Sequence, residues 1–155
     1  GWTSSGGACA GGATRGALPR QLRVSGHRGR WLLNSFHGED AATGTLTSRP
    51  FVLRGNTLSF LVGGSAFSAT AAFELLVDGR VMLAASGRGS EVLRRVSWDV
   101  SRFLGREIQL RARDSGSGPW GHLLVDDIAV IQLPSFLPMA LQPALHDHSE
   151  HCLVF

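Results

Sequence analysis

Lysine and tyrosine are absent from this 155-residue chain, and all fifteen basic residues are arginine. The arginines are interspersed with acids and the formal net charge is only +3. The concentrated basic face of a nucleic-acid-binding protein is therefore missing, and no nucleic-acid partner is expected. No apolar run approaches the roughly 20 residues that a membrane-spanning helix needs, so no membrane insertion is expected. No amphipathic stretch of ordinary helical length is present either, which removes helical and α/β classes. The chain begins with glycine and shows no charged-then-apolar leader. That suits a processed product or one module of a longer protein.

The two cysteines, Cys9 and Cys152, lie near opposite ends and have no metal-ligand spacing. A disulfide between them in an oxidising compartment and two separate thiols are both open. Length and a 43% hydrophobic fraction suit one domain with a substantial core.

What is present reads as strands. Glu107 to Arg113 alternates, with Ile108, Leu110 and Ala112 on one face and Gln109, Arg111 and Arg113 on the other. Phe73 to Val77 and Arg80 to Leu83 flank Asp78-Gly79, the signature of a tight hairpin. Further strands are predicted at Trp31 to Phe36, Leu46 to Leu53, Thr57 to Val62 and Val92 to Trp98, with Trp98 in the core. Asp99 to Gly105 reads as one helical turn closed by glycine. The Gly-rich loop Asp114 to His122 opens onto the apolar run Leu123 to Ile131, a strand buried on both faces. Strand alternation sends Asp126 and Asp127 to opposite faces, so at least one needs a cation, an arginine or backbone donors. Short strands joined by Gly-rich turns make an all-β fold, an antiparallel β-sandwich in a single domain. Residues 1–16 read as a Gly/Ser/Ala-rich lead-in, 17–133 as the sandwich, and 134–155 as a Pro-containing, His-rich tail or strap.

Laid in order, Asn34-Ser-Phe, Gly38 to Ser48, Pro50-Phe51, Ser59 to Gly64, Leu75 to Gly79, Ser86 to Glu91, Val96 to Val100 and Trp120 to Ile128 resemble a known module. It is the non-catalytic β-sandwich attached to fructan- and sucrose-cleaving glycoside hydrolases and found in other multidomain secreted proteins. The resemblance spans about Leu22 to Ile131 and implies a galactose-binding-like jelly roll, extracellular or at the cell surface. It departs from the family at Gly38-Glu39-Asp40, where a Gly-Gly-Asp is usual, and after Gly64, where a third glycine is. The catalytic propeller of those hydrolases has no counterpart in this chain.

The resemblance also implies a structural calcium held by Asp40 with Asp126 or Asp127. A solvated turn and a separately satisfied carboxylate is the other reading. No other cofactor is expected. Trp120 and His122 suit a sugar platform, an aromatic face beside hydrogen-bonding groups, with Arg88 and Asp40 as further contacts. Alternatively Trp120 closes the core and His122 orients its loop through an acid such as Asp126 or Asp114. The tail His146-Asp-His-Ser-Glu-His-Cys152 carries zinc- or copper-binding residue types without a spacing that fixes geometry. No nucleophile and base, paired catalytic carboxylates or phosphate-cradling loop emerges, so no enzyme is expected. The function indicated is a carbohydrate-recognition module of a larger protein. The alternative is an architectural module whose partners are neighbouring protein domains or subunits.

Overall fold

The computed structural model describes residues 1–134; the His-rich tail and Cys152 lie outside the described residues. The strands in chain order are β1 (Trp2–Gly6), β2 (Ala13–Thr14), β3 (Leu32–Asn34), β4 (Gly44–Ser48), β5 (Phe51–Val52), β6 (Thr57–Gly64), β7 (Ala71–Val77), β8 (Arg80–Ala85), β9 (Ser90–Asp99), β10 (Glu107–Asp114) and β11 (Leu123–Ile131). They form two sheets, β1-β4-β10-β7-β8 with β5 also on β10, and β2-β3-β11-β6-β9. Pairing between these strands is antiparallel throughout. This is the expected two-sheet sandwich.

Alternation decides what fills it. Ile108, Leu110 and Ala112 of β10 meet Phe73 and Leu75 of β7, Phe60 and Val62 of β6, and Leu123 and Val125 of β11 in one core. Phe60 sits edge-on to Phe73 and to Trp98, 4.7 Å from each ring centroid. Trp98 is only partly buried, but it packs on that core as its alternation with Val96 requires. In the β7–β8 hairpin both Asp78 (φ 51) and Gly79 (φ 72) are left-handed, as a type I′ turn demands. Ser101–Phe103 form a 3₁₀ turn whose first residue donates its N–H and its hydroxyl to Asp99 Oδ1, with Gly105 at φ 75 beyond it.

Two features were not visible in the sequence. The lead-in takes part in both sheets: β1 pairs with β4, β2 pairs with β3, and Ala8 and Cys9 between them are buried. The stretch after it crosses the outer face of the second sheet, where Val24 packs with Leu32, Leu61, Leu93 and Leu124 in a small second core.

The expectation that Asp126 and Asp127 face opposite ways is corrected by a bulge. Asp126 pairs with Leu61 but Ala129 pairs with Ser59, so β11 carries one extra residue there, and Asp127 has φ 49. The bulge resets the alternation. Leu123, Val125 and Ile128 all reach the main core, and both carboxylates stay out of it. Asp126 accepts the Arg28 N–H at 2.6 Å, while Asp127 pairs with Arg95, a neighbour of Ser59 on the outer face. Each carboxylate has the kind of partner that burial demands.

Because Phe60 is fully buried at the meeting point of both sheets, Phe60→Ala should destabilise the domain by about 3–5 kcal/mol in urea unfolding.

Candidate functional site

The loops that follow β2, β3, β6, β8 and β10 gather at the end of the sandwich where β11 begins. His122, the residue before β11, is 2% exposed and lies between two carboxylates. Its Nδ1 is 2.7 Å from Asp40 Oδ1, and its Nε2 is 3.1 Å from both Glu91 oxygens. Asp40 stands on the 3₁₀ turn Glu39–Ala41, and Glu91 at the start of β9. Glu91 also accepts the Gln21 amide at 3.1 Å, and the Gln21 carbonyl accepts Asn34 Nδ2 at 2.7 Å. A continuous, largely buried network thus ties together four chain segments distant in sequence.

Burial works against a charged imidazole, but hydrogen bonds and charge from Glu91 and Asp40 outweigh it, and the His122 pKa is raised. With both nitrogens facing carboxylates, the protonated ring can donate to each, and neither nitrogen is left open to serve a substrate as a general base. The arrangement is a charged clamp.

The clamp holds Trp120. Asp40 Oδ2 accepts the Trp120 N–H at 3.0 Å, and the indole lies over the His122 ring, with centroids 5.7 Å apart and planes 25° apart. Trp120 follows Pro119 and has φ 61, a left-handed conformation uncommon for a bulky residue. Two further non-glycine residues at this end share that conformation: Arg20 (φ 68) and Glu39 (φ 63), which form an ion pair.

Close backbone approach explains the glycines nearby. Ser65 N–H bonds to His122 O at 2.9 Å, and a Cβ on Gly64 would lie 2.3 Å from that same oxygen. Gly87 lies so near Gly63 and Gly64 that a Cβ there would meet the Gly64 carbonyl at 2.4 Å. These contacts place Arg88 and Phe67 at the same end, both exposed, with Phe67 at 72%.

Asp40, Trp120 and His122 are therefore in direct contact, and Arg88 stands on an adjoining loop. His122 supports Trp120 from behind rather than reaching solvent, and its acids are Asp40 and Glu91, not Asp126 or Asp114. Asp126 is not brought to Asp40, because it lies under the stretch 17–31 on the outer face of the second sheet. Both Asp40 oxygens are already bonded within the protein. The two do not fit a shared calcium, which takes about six to eight converging oxygens. Among the described residues no group of three or more His, Cys, Asp or Glu converges to hold a metal. Sequence reasoning missed Gln21, Arg20 and Phe67; for Arg20 the Pro-Arg pair at 19–20, which mirrors Pro119-Trp120, was the available signal.

Behind the clamp, Ser35 joins strand ends to Asp114. Its hydroxyl donates to Asp114 Oδ2 at 2.6 Å and accepts the Leu123 N–H at 2.8 Å. Burial pushes the Asp114 pKa up to about 6, against the hydrogen bond from Ser35. Burial, with the Asp114 charge second, also pushes the Cys9 thiol up to about 11. The pairing of Cys9 with Cys152 lies outside the described residues.

No family model matches the chain. A protein of Aspergillus rugulosus named "Putative glycosyl hydrolase ecdE" is 38% identical over 128 residues. The match covers 83% of this chain and 18% of that protein. The chain is thus similar to one part of a much longer relative. Among solved structures, the K1 cleaved adhesin domain of Lys-gingipain from Porphyromonas gingivalis W83 superposes with a TM-score of 0.51 at 14% identity. That superposition covers 86% of this chain and 91% of the adhesin domain, a likeness of fold. TmCBM61, solved in complex with β-1,4-galactotriose, superposes at 0.49 with 12% identity, over 85% of this chain and 88% of its own.

Both buried acid–base groups bind protons more tightly folded than unfolded. Stability should therefore fall as pH rises from about 4 to about 6, while the unfolded chain gives up the Asp114 proton first. It should fall again as pH rises above about 6.5 and through the raised His122 pKa. Urea unfolding across this range should show the lower fall diminished in Asp114→Asn and the upper fall diminished in His122→Gln.

Proposed function

We propose that this chain is a non-catalytic carbohydrate-recognition module of a larger extracellular or cell-surface protein, and that it binds glycan at the loop end around Trp120. The observation that carries this reading is the Trp120 ring, half-exposed and held at positive φ by the Asp40–His122–Glu91 clamp. Backbone strain of this kind costs on the order of 1–3 kcal/mol and persists where surrounding structure over-determines it, commonly at ligand sites. An indole fixed in this way offers an apolar face to a sugar ring without losing side-chain entropy on binding. Arg88 and Phe67, both exposed, stand on loops at the same end of the sandwich.

Two further facts support the reading. The relative's name places its chemistry with glycosides, and a match to 18% of its length leaves room there for a separate catalytic part. In this chain the histidine at the site has both nitrogens committed to carboxylates, which suits binding rather than proton transfer.

The architectural alternative draws on Leu22 (67% exposed), in the stretch 17–31, and on Val92 (57%), in the strand that this stretch bridges through Ser25. Those residues suit a neighbouring domain.

The two readings separate with Trp120→Gly, which removes the ring without leaving a strained Cβ. For glycan recognition, isothermal titration against a panel of neutral polysaccharides, fructans included, should show saturable binding by the wild type and at least about tenfold weaker binding by the variant, or 1.4 kcal/mol. The far-ultraviolet circular dichroism should remain that of a folded sheet protein. Absence of binding by the folded wild type to every member would turn the assignment to the architectural module.

A further inference from the structure

The ion pair between Arg20 and Glu39 joins two backbones that are both held in the left-handed region. Leu18 to Gln21 form a turn closed by Gln21 N–H to Leu18 O at 3.1 Å, with Pro19 second and Arg20 third. Positive φ in third place marks a type II turn, a position that glycine fills without strain. Arginine there, and glutamate at φ 63 opposite, are each strained where glycine would not be. The ion pair offsets little of this. Its side chains are 80% and 44% exposed, and solvent-exposed ion pairs contribute little to stability. Stability alone does not account for these two residues standing where they do.

Their position does. Arg20 precedes Gln21, whose amide bonds to Glu91, and Glu39 precedes Asp40, which holds both His122 and the Trp120 N–H. Both ends of the ion pair are thus tied through single neighbours to the clamp that sets the indole. We infer that Arg20 and Glu39 form the hydroxyl-reading rim of the Trp120 site, selecting neutral sugars that present two adjacent hydroxyls. This rests on the glycan-binding reading above. The guanidinium only donates and the carboxylate only accepts, so side by side they match a vicinal diol, whose hydroxyls do both. Because the pair has no net charge, an acidic sugar gains nothing from it.

The test is titration of the whole chain with inulin, levan and β-1,4-galactan, each in native form and after periodate cleavage of its vicinal diols. Wild type should bind at least one native polysaccharide and lose at least about tenfold in affinity for the oxidised form. Arg20→Gly relieves the turn, so its melting temperature should be unchanged or higher, while its affinity falls at least tenfold; Glu39→Gln should weaken binding likewise with its melting temperature unchanged. Wild-type binding that both variants retain, or that survives periodate, overturns this inference and leaves the Trp120 site standing. Weaker binding accompanied by a lower melting temperature in both variants assigns the pair to structure and also overturns it. No binding of any native polysaccharide by the folded wild type overturns this inference together with the reading on which it rests.

Discussion

Everything at the loop end depends on one buried imidazole held between two carboxylates. Removing one partner from a desolvated, hydrogen-bonded cluster leaves the others without the partners that burial demands. Asp40, His122 and Glu91 are therefore mutually obligatory. Each comes from a different part of the chain: a 3₁₀ turn, the entry to β11 and the start of β9. Once the sheets form, the three meet and the loops between them are fixed. The backbone of Trp120, bonded to Asp40, is then set in a conformation that its own sequence does not favour.

The scaffold makes room for this polar cluster with two local irregularities. The pairing of β6 with β9 shifts between Val62 and Gly64, and Gly64 lets the chain pass against the His122 carbonyl. Farther along β11, the bulge at Asp127 returns Ile128 to the core and leaves the carboxylate to Arg95. Without the extra residue, alternation after Val125 would aim Asp127 inward, a charge among Phe60, Phe73 and Leu110 with no partner. Glycine in one place and a left-handed aspartate in the other reconcile an apolar interior with acids on its strands.

Most strands were legible because the information for them is local. Alternation marked β10, and Asp78-Gly79 marked the β7–β8 turn, since both central residues need positive φ. The bulge was not legible, because nothing in Val125 to Ile128 distinguishes a regular strand from one with an inserted residue until its partner β6 is known. Residues 17–31 were silent for a similar reason: they have no periodicity, and Val24 is buried only because Leu61, Leu93 and Leu124 lie beneath it. At the site, Trp120, His122, Asp40 and Arg88 stood out by residue type and loop context. Their relations did not, since Glu91 and Gln21 reach His122 through tertiary pairing across 31 residues and then 70. The separation of Asp126 from Asp40 was hidden for the same reason, for Asp126 stands on the strand that leaves the site but faces the stretch 17–31.

The central claim is that the loop end organised by His122 is where a glycan binds. It is tested most directly by following the backbone and indole amide resonances of the ¹⁵N-labelled chain during titration with neutral polysaccharide fragments. The account predicts saturable shifts of the Trp120 indole and of residues 38–41, 86–91 and 116–122, with the strand residues of the first sheet unmoved. Shifts confined to the outer face of either sheet, or no shifts from any fragment, would contradict it.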